Sequence, residues 1–97
     1  MALVEIYTKD YCPYCDKAKL LLDQLNVDYL EIDLVAEPEK YDELQLRRPS
    51  ARTVPQIFIN DTGIGGCDDL YALYDAGKLK PMLEELDRPV IGAEETL

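Results

Sequence analysis

The sequence predicts an α/β domain built on one four-stranded mixed sheet with helices on both faces. Three observations predict it. Short β-prone segments alternate with helix-length segments along the chain. The first two β-prone segments are joined by a helix-length connection, which allows them to pair in parallel. The last two are joined by a short polar turn, which makes them a hairpin. Helices must then cover both faces of one small sheet.

The elements follow in order. ALVEIY (2–7) is short, β-prone and closed by the polar TKD, so it predicts the first strand. A helix is predicted from Pro13 to Asn26, because Cys15, Ala18, Leu22 and Leu25 fall on one face with Leu21 beside them. VDYLEID (27–33) predicts the second strand. A polar helix follows from Pro38 to Arg48, with one proline in its first turn and Pro49 beyond its end. VPQIFIN (54–60) predicts the third strand, with proline at its start where a missing N–H is tolerable. DTG (61–63) predicts a turn into a short fourth strand near Ile64. A helix from Asp68 to Ala76 stops at Gly77. The last helix carries Leu79, Met82, Leu83 and Leu86, a stripe at core spacing. Beyond Pro89 the periodicity ends. The domain is therefore expected to span 1–88, with 89–97 as a flexible tail.

Composition bounds the function. The chain has 97 residues, 47% of them hydrophobic and 31% charged, which is one ordinary globular domain with a single core. Its net charge of −10 disfavours nucleic acid or an anionic membrane as a partner, since either would require a basic face. No apolar run reaches the ~20 residues of a membrane span. MALVEIYTK lacks the features of a signal peptide, so a cytoplasmic location is expected.

Three cysteines and no histidine narrow the chemistry further. An odd count cannot pair completely within the chain, and a structural zinc site needs four ligands. Cys12 and Cys15 therefore read as a redox pair, with no metal expected. A cysteine attacks as the thiolate, and the usual base that generates one, a histidine, is missing. The helix supplies the alternative. With Cys12 at the N-cap, Pro13 occupies the first helical position, where its lost N–H had no partner. The free N–H groups of Tyr14 and Cys15 then point toward the Cys12 sulfur, and the helix dipole adds positive charge. Thiols at such sites titrate at roughly 3.5–7.5 rather than ~8.5. Lys9, just upstream, adds a full charge. Cys15 shares the buried face of Ala18 and Leu22, whereas Cys12 is expected at the exposed tip. The outer sulfur is thus the expected attacker and the inner one resolves.

A Cys-x-x-Cys at the start of the helix in a βαβ unit is the thioredoxin-like arrangement. Three segments in order, CPYC (12–15), TVPQIFI (53–59) and GGCDDL (65–70), together resemble the dithiol glutaredoxins, over roughly residues 2–86. The resemblance implies a glutathione-dependent thiol–disulfide oxidoreductase, with glutathione as co-substrate and no metal or flavin. It implies a monomer acting on glutathionylated or disulfide-bonded proteins and on small disulfides.

The implied glutathione-binding residues are Lys9, Tyr14, Thr53, Val54, Pro55, Gly66, Cys67 and Asp68. The resemblance implies a cis bond before Pro55, which leaves the Val54 backbone free to pair with a short peptide. Helix N–H groups after Gly65-Gly66 suit the γ-glutamyl carboxylate, and Asp68, an acidic cap by sequence, suits its ammonium. Lys9 matches the family lysine for the glycine carboxylate, and which of Arg47, Arg48 and Arg52 joins it stays open, because RRPSART lacks the usual glycine turn. Cys67 is expected to contribute its backbone. Two rivals remain. A thioredoxin-type reductase would be expected to carry W-C-G-P-C, and this chain has no tryptophan. An iron–sulfur carrier would be coloured when purified anaerobically, and the proline after Cys12 weighs against it.

Overall fold

The structure is a computed structural model that describes residues 2–84. The expected boundary after residue 88, the tail 89–97 and Leu86 of the last apolar stripe lie outside the described residues. The elements run β1 (Val4–Thr8), α1 (Pro13–Gln24), β2 (Leu30–Asp33), α2 (Lys40–Arg47), β3 (Gln56–Ile59), β4 (Thr62–Gly65), α3 (Cys67–Asp75) and α4 (Leu79–Glu84). The sheet order is β2-β1-β3-β4. β1 and β2 pair in parallel, and the other two pairings are antiparallel. This is the predicted mixed sheet.

Alternation along β1 and β3 divides the core. Val4, Ile6, Ile57 and Ile59 face Ala18, Leu21 and Leu22 of α1, Leu70 of α3, and Leu79 and Leu83 of α4. Tyr7 and Phe58 point the other way, against Ile32, Leu44 of α2 and Ala51. With a side-chain period of two, each strand serves both layers.

Several boundaries differ from expectation, each for a local reason. β1 is displaced to 4–8, because Val4 pairs with Ile59 of β3 and Thr8 with Asp33 of β2. β2 shortens to 30–33, because only those residues have partners on β1. α1 ends before Asn26, which takes a left-handed φ of 58°. The Asn26 and Val27 N–H groups then bond back to the Asp23 and Leu22 carbonyls. α3 closes in the same way at Gly77, as predicted, with Gly77 and Lys78 donating to Tyr74 and Leu73. α2 begins at Lys40 rather than at Pro38, with Glu39 as its cap. The β3–β4 turn is Asn60-Asp61 (φ 51° and 67°), one residue earlier than DTG. Two positive φ values are what a tight hairpin requires, and Asn and Asp tolerate them. Thr62 and Gly63 thereby join β4.

Candidate active site

Cys12 is the N-cap of α1, with extended backbone, and Pro13 is the first helical residue. The chain reaches this position through Tyr11, which has a left-handed φ of 54° and a fully exposed side chain. The Cys15 N–H donates to Cys12 Sγ at 3.1 Å. This is one of the unsatisfied N–H groups of the first turn, and it favours negative charge on the sulfur. Cys12 and Cys15 are joined by a disulfide. Val54 O lies 3.8 Å from Cys12 Sγ. The disulfide carries no proton, so this is a contact; in the reduced protein it suits the thiol, against the closer Cys15 N–H, which suits the thiolate.

The expected exposed tip is corrected here. Cys12 is only 8% exposed, against 1% for Cys15. The order of the two sulfurs stands, but the Val54 wall of the neighbouring loop covers the outer one.

That loop belongs to a groove of about 530 Å³. Tyr14 stands on one side, Thr53, Val54 and Pro55 on another, and Gly66, Cys67 and Asp68 on a third. The Val54–Pro55 bond is cis, as the resemblance implied. A second groove of about 250 Å³ shares Ala51, Arg52, Thr53 and Val54 with the first and extends to Lys9. All eight non-cysteine-pair candidates thus line one of two adjoining grooves.

The third wall is built by backbone geometry. A Cβ on Gly66 would come within 3.3 Å of the Pro55 carbonyl, so glycine lets α3 approach the Thr53–Pro55 loop closely. The N-cap is Gly66, which corrects the reading of Asp68 as a cap. The capping carboxylate is Asp69, which accepts from Gly66 N–H at 2.9 Å. Asp68 is only the second residue after Gly66, and the third-position side chain, Asp69, is the one that reaches back. Asp68 is exposed on the groove and makes no hydrogen bond or ion pair among the described residues.

Cys67 is a free cysteine, 4% exposed. Burial pushes its thiol up, Lys17 pulls it back, and Asp68 pushes it further up. A protonated, buried thiol is a poor nucleophile. Cys67→Ser is therefore expected to keep most activity in a reduction assay; a loss of tenfold or more (about 1.4 kcal/mol) in a folded variant would show that the sulfur matters.

The arginines separate clearly. Arg47 turns onto the sheet, where it pairs with Glu5 and Asp61 and stacks on the Phe58 ring at 3.9 Å. Arg48 donates to the Gly63 carbonyl and lines the larger groove, and Arg52 lines both grooves while donating to Pro49 and Ala51 carbonyls. Sequence reasoning missed Gln45 and Gln56, whose amides hold the Ala51 and Thr53 carbonyls. The signal for Gln56 was its position two residues before Phe58, hence on the same inner face. Among the described residues no group of three or more His, Cys, Asp or Glu side chains is placed to hold a metal. Nor is any of their helices long and apolar enough to cross a membrane.

The glutaredoxin family model matches residues 4–64. Glutaredoxin 3 of Escherichia coli K12 is 50% identical over 84 residues, 87% of this chain and 100% of that one. A glutaredoxin of Pseudomonas aeruginosa is 51% identical over 83 residues, covering 86% and 98%. Among solved structures, the Brucella melitensis glutaredoxin is 50% identical with a TM-score of 0.74, covering 87% of this chain and 90% of that one. A buckwheat glutaredoxin–glutathione complex is 38% identical with a TM-score of 0.76, covering 84% and 76%. Family model, relatives and fold agree with the Cys12–Cys15 pair at the tip of α1: the chain belongs to the glutaredoxin family, the glutathione-dependent thiol–disulfide oxidoreductases.

Proposed function

We propose that the chain reduces glutathionylated proteins, small disulfides and protein disulfides in the cytoplasm as a monomer, with Cys12 attacking and Cys15 resolving. The observation that carries this reading is the Cys15 N–H on the Cys12 sulfur at the helix tip, beside a groove sized for a short peptide. The Cys12 thiolate attacks the glutathionyl sulfur of a mixed disulfide. The substrate thiolate leaves and takes up a proton, and Cys12 now carries glutathione. A second glutathione, as thiolate, attacks that sulfur, releasing glutathione disulfide and the Cys12 thiolate. In reduction of a protein disulfide, Cys12 is instead left joined to the target. The Cys15 thiolate then attacks Cys12, frees the target thiol and closes the Cys12–Cys15 disulfide. Two glutathione molecules reopen it.

Glutathione fits the groove in one direction. Its cysteine pairs with the Val54 backbone as an added strand, beside Cys12. Its γ-glutamyl carboxylate meets the first N–H groups of α3 near Gly66 and Cys67, and its ammonium meets Asp68. Tyr14 and Pro55 flank it. The glycine carboxylate extends toward Lys9 and Arg52 along the second groove. The buckwheat complex supports glutathione as the ligand, since that protein was solved with glutathione.

Because Asp68 has no other partner among the described residues, Asp68→Ala is expected to weaken glutathione use by ~1–3 kcal/mol, the range for a charge-assisted hydrogen bond. Lys9→Glu is expected to weaken it too, by repelling the glycine carboxylate. Steady-state kinetics against glutathione concentration test both. Unchanged glutathione dependence in the two variants would remove this binding assignment.

A further inference from the structure

Gln56 opens β3 immediately after the Thr53–Pro55 wall and lines the same groove. Its Nε2 donates to Thr53 O at 2.9 Å. A carbonyl only accepts, so the amide has one workable orientation, with Oε1 turned away from Thr53. That oxygen is enclosed without a donor, the one buried side-chain N or O atom among the described residues in this position. An enclosed acceptor without a partner lowers stability. Methionine, of similar length, would fill the site without that penalty.

A function for the amide follows from the peptide it holds. Thr53 C=O and Val54 N–H belong to one planar unit. That unit is trans, because Val54–Pro55 is the only cis bond among the described residues. In a trans peptide the C=O and N–H point in opposite directions. By keeping Thr53 O on its own side, Gln56 turns Val54 N–H to the other. Val54 N–H makes no hydrogen bond among the described residues. Its neighbour Val54 O already lies against the Cys12 sulfur.

We infer that Gln56 is a positioning residue for the reaction: it orients the Thr53–Val54 peptide so that Val54 N–H is presented to glutathione. Gln56 acts through Thr53 rather than by touching the tripeptide. The inference rests on the proposed seating of glutathione along Val54.

Gln56→Met tests it, with a small glutathione mixed disulfide as substrate and glutathione as reductant. The KM for glutathione is expected to rise about fivefold, the worth of one neutral hydrogen bond. The kcat at saturating glutathione stays at the wild-type value, and the melting temperature is equal or higher. Gln56→Leu, which cannot donate either and buries no charge, is expected to show the same KM rise and serves if the methionine variant does not fold. Hydrogen exchange at the Val54 amide of the reduced protein supplies a second readout. The redox-inert S-methylglutathione should slow exchange in wild type and slow it less in Gln56→Met. An unchanged KM in a folded variant overturns the inference. So does a joint fall of kcat and melting temperature, which is what a purely structural glutamine produces. If instead wild type turns over independently of glutathione, and S-methylglutathione protects Val54 in neither protein, the glutathione reading itself has failed.

Discussion

Cys12→Ser is expected to lose both deglutathionylation and protein-disulfide reduction, whereas Cys15→Ser loses only the second. Serine at position 12 has no thiolate to offer, and no histidine exists in the chain to activate its hydroxyl. The Cys15 variant differs because the two contributions of that residue are separable. Its backbone N–H touches the Cys12 sulfur at 3.1 Å, and a substitution of the side chain leaves that N–H in place. Its sulfur is needed only when the enzyme is left joined to a target and an internal thiol must release it. Both reactions should be measured on both variants, with folding checked by circular dichroism. If Cys15→Ser is as inactive as Cys12→Ser toward glutathionylated substrates, the single-thiol mechanism fails. Activity in Cys12→Ser would overturn the assignment of the attacking sulfur.

The second large effect concerns stability and lies away from the groove. Arg47 on α2 donates to both Glu5 carboxylate oxygens, at 2.9 and 3.2 Å, and to the Tyr7 hydroxyl at 2.8 Å. Tyr7 in turn donates to Glu43 at 2.7 Å. The Arg47 and Glu5 side chains are 20% and 15% exposed, so the pair is mostly shielded from water. Burial alone would pull the Arg47 guanidinium down, but Glu5 and Tyr7 outweigh it and hold it above its ordinary value. For Tyr7, burial and the Glu43 carboxylate push the phenol up against the pull of Arg47.

Removing Arg47 leaves the Glu5 carboxylate shielded and unpaired, which in fully buried pairs costs about 3–5 kcal/mol. Partial exposure reduces this, and Arg47→Met is expected to destabilise the fold by roughly 2–3 kcal/mol. For a domain of this size, that lowers the melting temperature by roughly 10–20 °C. The double variant Arg47→Met/Glu5→Gln should recover part of the loss, because the uncompensated charge is gone. Urea denaturation of the reduced proteins measures both. A loss below about 0.5 kcal/mol, the scale of ordinary surface changes, would mean that the cluster is solvated surface charge. The KM for glutathione should not change, in contrast to Asp68→Ala and Gln56→Met.

Much of this molecule was legible in the chain because local patterns carried it. The Cys15, Ala18, Leu22 spacing predicted a helix face, and proline after Cys12 predicted where that helix starts. Both predictions rest on neighbours within one turn, and the N-cap geometry of Cys12 follows from them. The Gly77 stop is equally local. Misplaced boundaries came from pairing between distant segments, as with the first residues expected in β2, which have no partner on β1.

The alternation of strand and helix segments by itself determined the mixed sheet and its two covered faces. Together with the Cys-x-x-Cys at a helix start, it determined the redox chemistry. What only the tertiary structure decided are the contacts between segments far apart in sequence. Val54 covers Cys12 across 42 positions, which made the attacking sulfur less exposed than its place at the tip implied. Arg47 was one of three equivalent arginines in the chain until Glu5, Tyr7 and Phe58 drew it to the sheet. Asp69, not Asp68, caps α3 because the N-cap is Gly66, where close approach to Pro55 requires glycine. Hydrophobic periodicity records which face of an element is buried. It does not record which loop arrives to cover that face, since such packing depends on how the layers meet in space.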